Sequence, residues 1–128
     1  MKFRLFSGAM VLAAAVTLIA GAPAGHRHLR LVKAEPAADG MVTTAPKEVR
    51  LFFSEVPEVR ATRVTITNGM KKQIEVAAVH ADEKDGKIVI APITGAVEPG
   101  AYTVTWRTMA KDGHPVNGEF KFTMRSAD

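Results

Sequence analysis

The run AYTVTWR, Ala101–Arg107, alternates apolar and polar residues without a break. Tyr102, Val104 and Trp106 share one side of an extended chain, and Thr103, Thr105 and Arg107 the other. Side chains of a strand point to opposite faces in turn, so this spacing predicts a half-buried strand. The pattern recurs. EFKFTM puts Phe120, Phe122 and Met124 on one face, VRLFF puts Val49, Leu51 and Phe53, and RVTIT puts Val64 and Ile66. QIEVAAV offers Ile74, Val76 and Ala78, KIVIA is short and nearly all apolar, and a first strand is expected near LRLVKA.

Turn-forming pairs separate these runs: Asp39-Gly40, Asn68-Gly69, Asp85-Gly86, Pro99-Gly100 and the stretch KDGHPVNG, Lys111–Gly118. Asn68-Gly69 between alternating runs signals a hairpin, whose connection can exceed two residues. No amphipathic helix is visible after the amino terminus. About seven short strands at this spacing predict an all-β, Greek-key, immunoglobulin-like β-sandwich.

The amino terminus reads differently. A basic lead, Met1-Lys2-Phe3-Arg4, precedes the uncharged apolar run LFSGAMVLAAAVTLIA, and Ala22-Pro23-Ala24 obeys the small-x-small rule of signal peptidase. That is the layout of a secretory signal peptide over residues 1–24. The run is short of the ~20 apolar residues that a retained membrane anchor needs. The expected domain is then 25–128, exported to the periplasm. The 128-residue chain less those 24 leaves 104 residues, enough for one small domain. Losing Lys2 and Arg4 lowers the net charge from +4 to +2. Basic residues are scattered among acids with no aromatic interleaving, so nucleic acid is not an expected partner. There is no cysteine, which excludes both disulfides and thiolate metal sites.

Few residues remain for chemistry. Outside the leader only Ser54 and Ser126 could serve a serine triad, and no glycine-rich loop precedes a helix. Four histidines stand at 26, 28, 80 and 114. His26 and His28 open the mature chain, while Asp112 and His114 lie in the connection before the last strand. In a sandwich these two regions can meet at one end, where loops cluster. Imidazole nitrogens, a carboxylate oxygen and an N-terminal nitrogen would form a planar N,O set suited to Cu(II), whereas zinc prefers a tetrahedron. On the residues alone the alternatives stay open: Asp112 can hold its own turn through an Asx hydrogen bond, and His114 can be a solvated loop residue. His80 reads as a loop residue.

From His28 onward the chain resembles the CopC family of periplasmic copper-resistance proteins. The resemblance rests on His28, Leu31 and Pro36 at the start and on Phe53-Ser54-Glu55. It continues through Pro-Gly-x-Tyr-x-Val-x-Trp-Arg at Pro99 to Arg107 and Asp-x-His-Pro-x-x-Gly at Asp112 to Gly118. It implies a β-sandwich holding one Cu(II) through His28, Asp112 and His114. It also implies Glu55 as a weak ligand or neighbour of the metal, although a solvent-exposed acid ending a strand fits Glu55 equally. The implied role is a non-enzymatic copper carrier or buffer in copper homeostasis and resistance. Its exchange partner would be a membrane copper transporter or another periplasmic copper protein.

Two features depart from the family pattern. Some members hold Cu(I) in a methionine-rich mid-chain loop, where this chain has only Met70; Met41, Met109 and Met124 are spread out as expected core filler. In the family the mature chain starts at the histidine, but cleavage after Ala24 would leave Gly25-His26-Arg27-His28. A Gly-His start chelates Cu(II) through its amine, the next amide nitrogen and the ring, so His26 can replace or supplement His28. Two other classes share parts of this pattern: a copper mono-oxygenase with an N-terminal histidine brace, and a metal-free envelope scaffold. Against the first, a planar site filled by Asp112 leaves no position open for oxygen.

Overall fold

The structure is a computed structural model and describes residues 28–126. The expected signal peptide over 1–24 and His26 lie outside the described residues. Among the described residues, the strands are β1 (Leu31–Glu35), β2 (Gly40–Val42), β3 (Glu48–Phe53), β4 (Arg63–Asn68), β5 (Gln73–Ile74), β6 (His80–Ala81), β7 (Ile88–Pro92), β8 (Gly100–Met109) and β9 (Pro115–Met124), with one 3-10 turn at Val59–Ala61. They form a four-stranded sheet, β1-β3-β7-β6, and a five-stranded sheet, β2-β9-β8-β4-β5. Neighbouring strands are antiparallel except β2, which runs parallel to β9. The result is the expected β-sandwich. Its strand number exceeds the expected seven by two short pieces, β2 and β6, of three and two residues.

The alternating runs build the core. Val49, Leu51 and Phe53 of β3 and Val89 and Ala91 of β7 face Ile66, Tyr102, Val104, Trp106, Phe120 and Phe122 from the other sheet. Burying each large side chain contributes roughly 1.5–3 kcal/mol, and no disulfide assists them. Phe53 meets Trp106 edge to face across the sandwich, with ring centroids 5.3 Å apart, and Tyr102 stacks on Phe122 at 5.2 Å. The β8–β9 ladder is the longest, running in register from Gly100 opposite Met124 to Met109 opposite Pro115.

Several local expectations are corrected. KDGHPVNG is a turn only as far as His114; β9 begins at Pro115, and Gly118 is a strand residue. A Cβ at Gly118 would stand 2.7 Å from Cζ2 of Trp106, so the indole requires the glycine there. QIEVAAV is not one strand. After β5 the chain leaves the five-stranded sheet, bridges at Val76 to Ile93, and donates from Ala77 N–H to the Pro92 carbonyl beside β7. That crossing between sheets leaves Ala77 and Ala78 exposed. His80 belongs to strand β6 rather than a loop. Met41 is not core filler: it is 58% exposed and its sulfur accepts from Arg125 Nη1 at 3.6 Å. The Asn68-Gly69 hairpin has a four-residue connection, in which the Asn68 side chain accepts from the N–H groups of Met70 and Lys72.

Candidate metal centre

The β8–β9 turn is closed by two backbone bonds of 2.9 Å, Ala110 N–H to the His114 carbonyl and Gly113 N–H to the Ala110 carbonyl. Gly113 has φ 93°, a conformation that side chains resist and glycine adopts freely. Inside the turn, Asp112 Oδ1 accepts from the His114 backbone N–H at 3.0 Å, the Asx bond that the sequence allows for. Its other oxygen, Oδ2, lies 2.8 Å from His114 Nδ1. One carboxylate therefore fixes both backbone and ring of the histidine two residues on. The backbone N–H of His114, followed by the imidazole contact, holds the Asp112 carboxyl below its ordinary value of 3.8.

With Nδ1–H donated to Oδ2, the ring lone pair is on Nε2, which is then the nitrogen offered to a metal. Both side chains stand well out of the fold, 79% exposed for His114 and 64% for Asp112. This is an open, oriented donor pair with one negative charge beside it.

The connector between β3 and the 3-10 turn links this hairpin to the start of the chain. At one end, Ser54 clasps the His28–Arg30 segment. Its N–H donates to the Arg30 carbonyl at 2.9 Å, its Oγ accepts from Arg30 N–H at 3.0 Å, and its hydroxyl donates to the His28 carbonyl at 3.4 Å. Leu29, 3% exposed, is anchored in the core between the two clasped residues. At the other end, Glu58 N–H donates to the Met109 carbonyl at 2.8 Å, and Glu58 Oε1 pairs with Lys111 Nζ at 3.1 Å. The Thr62 hydroxyl donates to the Glu58 carbonyl, and the buried Thr62 and Thr108 hydroxyls lie 2.7 Å apart, tying the connector to β8.

So the segment carrying His28 and the turn carrying Asp112 and His114 are hydrogen-bonded to one connector at one end of the sandwich. Glu55 lies half-buried on that connector, one residue from the Ser54 clasp. His28 is exposed ahead of β1. Among the described residues, no three His, Asp or Glu side chains already stand close enough to hold a metal together; Asp112 and His114 are gathered as a pair. Reading the sequence missed Ser54, Glu58, Lys111 and the Thr62–Thr108 pair as supports of this region. Ser54 had a signal in the Phe-Ser-Glu motif, but the two threonines are 46 residues apart and had none.

Known proteins match most of the described chain. The CopC domain model matches residues 31–125. The chain is 33% identical over 103 residues to protein YobA of Escherichia coli, covering 80% of this chain and 83% of that one. It is 32% identical to copper resistance protein C of Xanthomonas campestris pv. juglandis, covering 96% of this chain and 98% of that one. The crystal structure of CopC from Methylosinus trichosporium OB3b superposes with a TM-score of 0.72 at 26% identity, covering 79% of this chain and 97% of that one. On the domain match, the shared sandwich and the motifs that form its clasp and turn, this chain belongs to the CopC family.

Proposed function

We propose that this protein is a periplasmic Cu(II) carrier or buffer in copper resistance, exported by the segment 1–24 and binding one Cu(II) per domain. His28, Asp112 and His114 are the donors, with His26 and the amino terminus completing or replacing the His28 contribution and Glu55 close by. The observation that carries this reading is the connector that holds the His28 segment and the Asp112–His114 turn together in a chain of this family. A single exposed imidazole binds copper weakly, whereas nitrogen and oxygen donors held on neighbouring, tethered segments can share the metal at a lower ordering cost. Copper here is cargo, bound and passed on to a membrane copper transporter or another periplasmic copper protein, with no bond made or broken in a substrate. Met70, alone at its loop, provides no cluster of soft ligands, so the proposed site favours Cu(II) over Cu(I).

The test is a copper titration of the exported protein with mass spectrometry of its first residue and bound metal. One Cu(II) retained through desalting, and a much weaker Cu(I) competition curve under anaerobic conditions, are the expected results. No retained copper, or a tight Cu(I) equivalent that survives replacement of His26, His28 and His114, would overturn the reading.

A further inference from the structure

On the outward face of the five-stranded sheet two arginines oppose each other. Arg63 of β4 and Arg107 of β8 are direct register partners, and Asn117 of β9 is the partner of Arg107 on its other side. Like charges directly across an antiparallel pair repel and destabilise it. Lys33, Arg50 and Lys111 each have a carboxylate within 3.4 Å. Among the described residues, neither Arg63 nor Arg107 has one. Arg63 is also oriented: its Nη1 donates to the Thr62 carbonyl at 3.0 Å and to the Arg60 carbonyl at 3.4 Å.

The pair borders a shallow depression of about 410 Å³ that also takes in Thr65, Thr105 and Asn117. Its acid, Glu119, lies opposite Thr105, one step further along β9, and pairs with neither arginine. A second depression of about 320 Å³ shares Arg63, Arg107 and Asn117 and continues to Met109 and Pro115, which flank the turn bearing Asp112 and His114.

We propose that the Arg63–Arg107 pair is a docking site for an acidic peptide segment of a partner protein, seated beside the turn that presents the copper ligands. A guanidinium is a planar fork that accepts a carboxylate bidentately, and two adjacent forks complement closely spaced Asp or Glu side chains. Carboxylates there would remove the Arg–Arg repulsion, while the Thr hydroxyls and the Asn117 amide supply neutral hydrogen bonds alongside. A lipid surface fits less well: none of the exposed large apolar residues, Val32, Met41, Val56 and Met70, lines either depression, so nothing there would insert. The inference goes beyond the copper reading and is tested without metal, so each can fail alone.

The exported, copper-free protein is titrated at low ionic strength with a fluorescent hexaglutamate peptide, with amide shifts followed by NMR. The expected result is salt-sensitive binding that moves the amides of residues 63, 105, 107 and 117. Arg107→Gln should weaken it by about tenfold, the loss of one charge-assisted contact. Lys84→Gln, on the β6–β7 connection of the other sheet, should leave it unchanged. Because Arg107→Gln relieves a repulsion, its melting temperature should stay level or rise, which separates lost docking from lost folding. Equal peptide binding by wild type and Arg107→Gln would overturn the proposal. So would saturation of the same amides by inorganic phosphate as tightly as by peptide, or Arg107-dependent binding to phosphatidylglycerol vesicles without peptide binding.

Discussion

The body and the tip of the β8–β9 hairpin are neighbours in sequence and opposites in environment. Along the body, Tyr102, Val104, Trp106, Phe120 and Phe122 are buried and locked against β3 and β7. At the tip, residues 111–115 are all exposed, and the order is local: an Asx bond, a glycine in a left-handed conformation and one carboxylate–imidazole contact. The body fixes where the tip stands; the tip decides which atoms it presents. Stability and ligand presentation are therefore separable, and substitutions should fall into two classes.

The strongest challenge to the body is Trp106→Ala. Removing an aromatic that is 5% exposed and in contact with Phe53 should cost about 3–5 kcal/mol in urea unfolding. A cost under about 1 kcal/mol would mean the indole does not anchor the two sheets. Gly118→Ala is the subtler version. The added methyl meets a ring wedged between strands, so overpacking should cost about 1–3 kcal/mol while copper affinity of the folded protein stays the same.

At the tip the pattern should invert. His114→Ala should weaken Cu(II) by at least about tenfold, or about 1.4 kcal/mol, in a competition titration. Its unfolding free energy should move by no more than about 0.5 kcal/mol, as for other surface changes. Asp112→Asn should weaken copper less, because it keeps an oxygen while losing the charge. The pH profile sharpens this division. Asp112 has a depressed carboxyl value, so its ionised contribution to the turn is complete above the ordinary 3.8 and is lost only as pH falls through the lowered value. Imidazole ligands lose copper to protons through about 6.5. A Cu(II) affinity that starts to fall as pH drops below about 6.5 would identify imidazole as the group that protons displace, and an affinity flat between about pH 8 and 5 would exclude it.

The smallest effect is expected between the two regions. Ser54→Ala removes the hydroxyl that holds Arg30 N–H and the His28 carbonyl, at a typical cost of about 1 kcal/mol. If His28 is a ligand, copper affinity should fall several-fold, and Ser54→Thr, which keeps the hydroxyl, should restore it. Unchanged affinity in Ser54→Ala would detach the His28 segment from the copper site.

Much of the fold was legible because a strand with one buried face must alternate. Tyr102, Val104, Trp106, Phe120 and Phe122 are buried as that rule predicts, whatever their distant partners. The same rule misread QIEVAAV, where alternation continues but the backbone changes sheets after Ile74; Met41, expected as core filler among the scattered methionines, lies exposed on the edge strand β2. Composition made HPVNG look like a turn, yet Pro115 starts strand β9, paired with β8, and Gly118 makes room for an indole 12 residues earlier in the chain.

The sequence by itself determined the strand faces, the turn chemistry at Gly113 and the Asx bond of Asp112 to His114, because each depends on residues within a few positions of one another. It also carried the family motifs that name His28, Glu55, Asp112 and His114 as candidates. Only the tertiary structure decided that Ser54 clasps the segment bearing His28, that Glu58 and the Thr62–Thr108 pair bind the same connector to the hairpin, and that Arg63 faces Arg107. Those relations join residues 24 to 51 positions apart, and they arise from how strands are ordered and sheets are stacked. Local periodicity carries no information about that order.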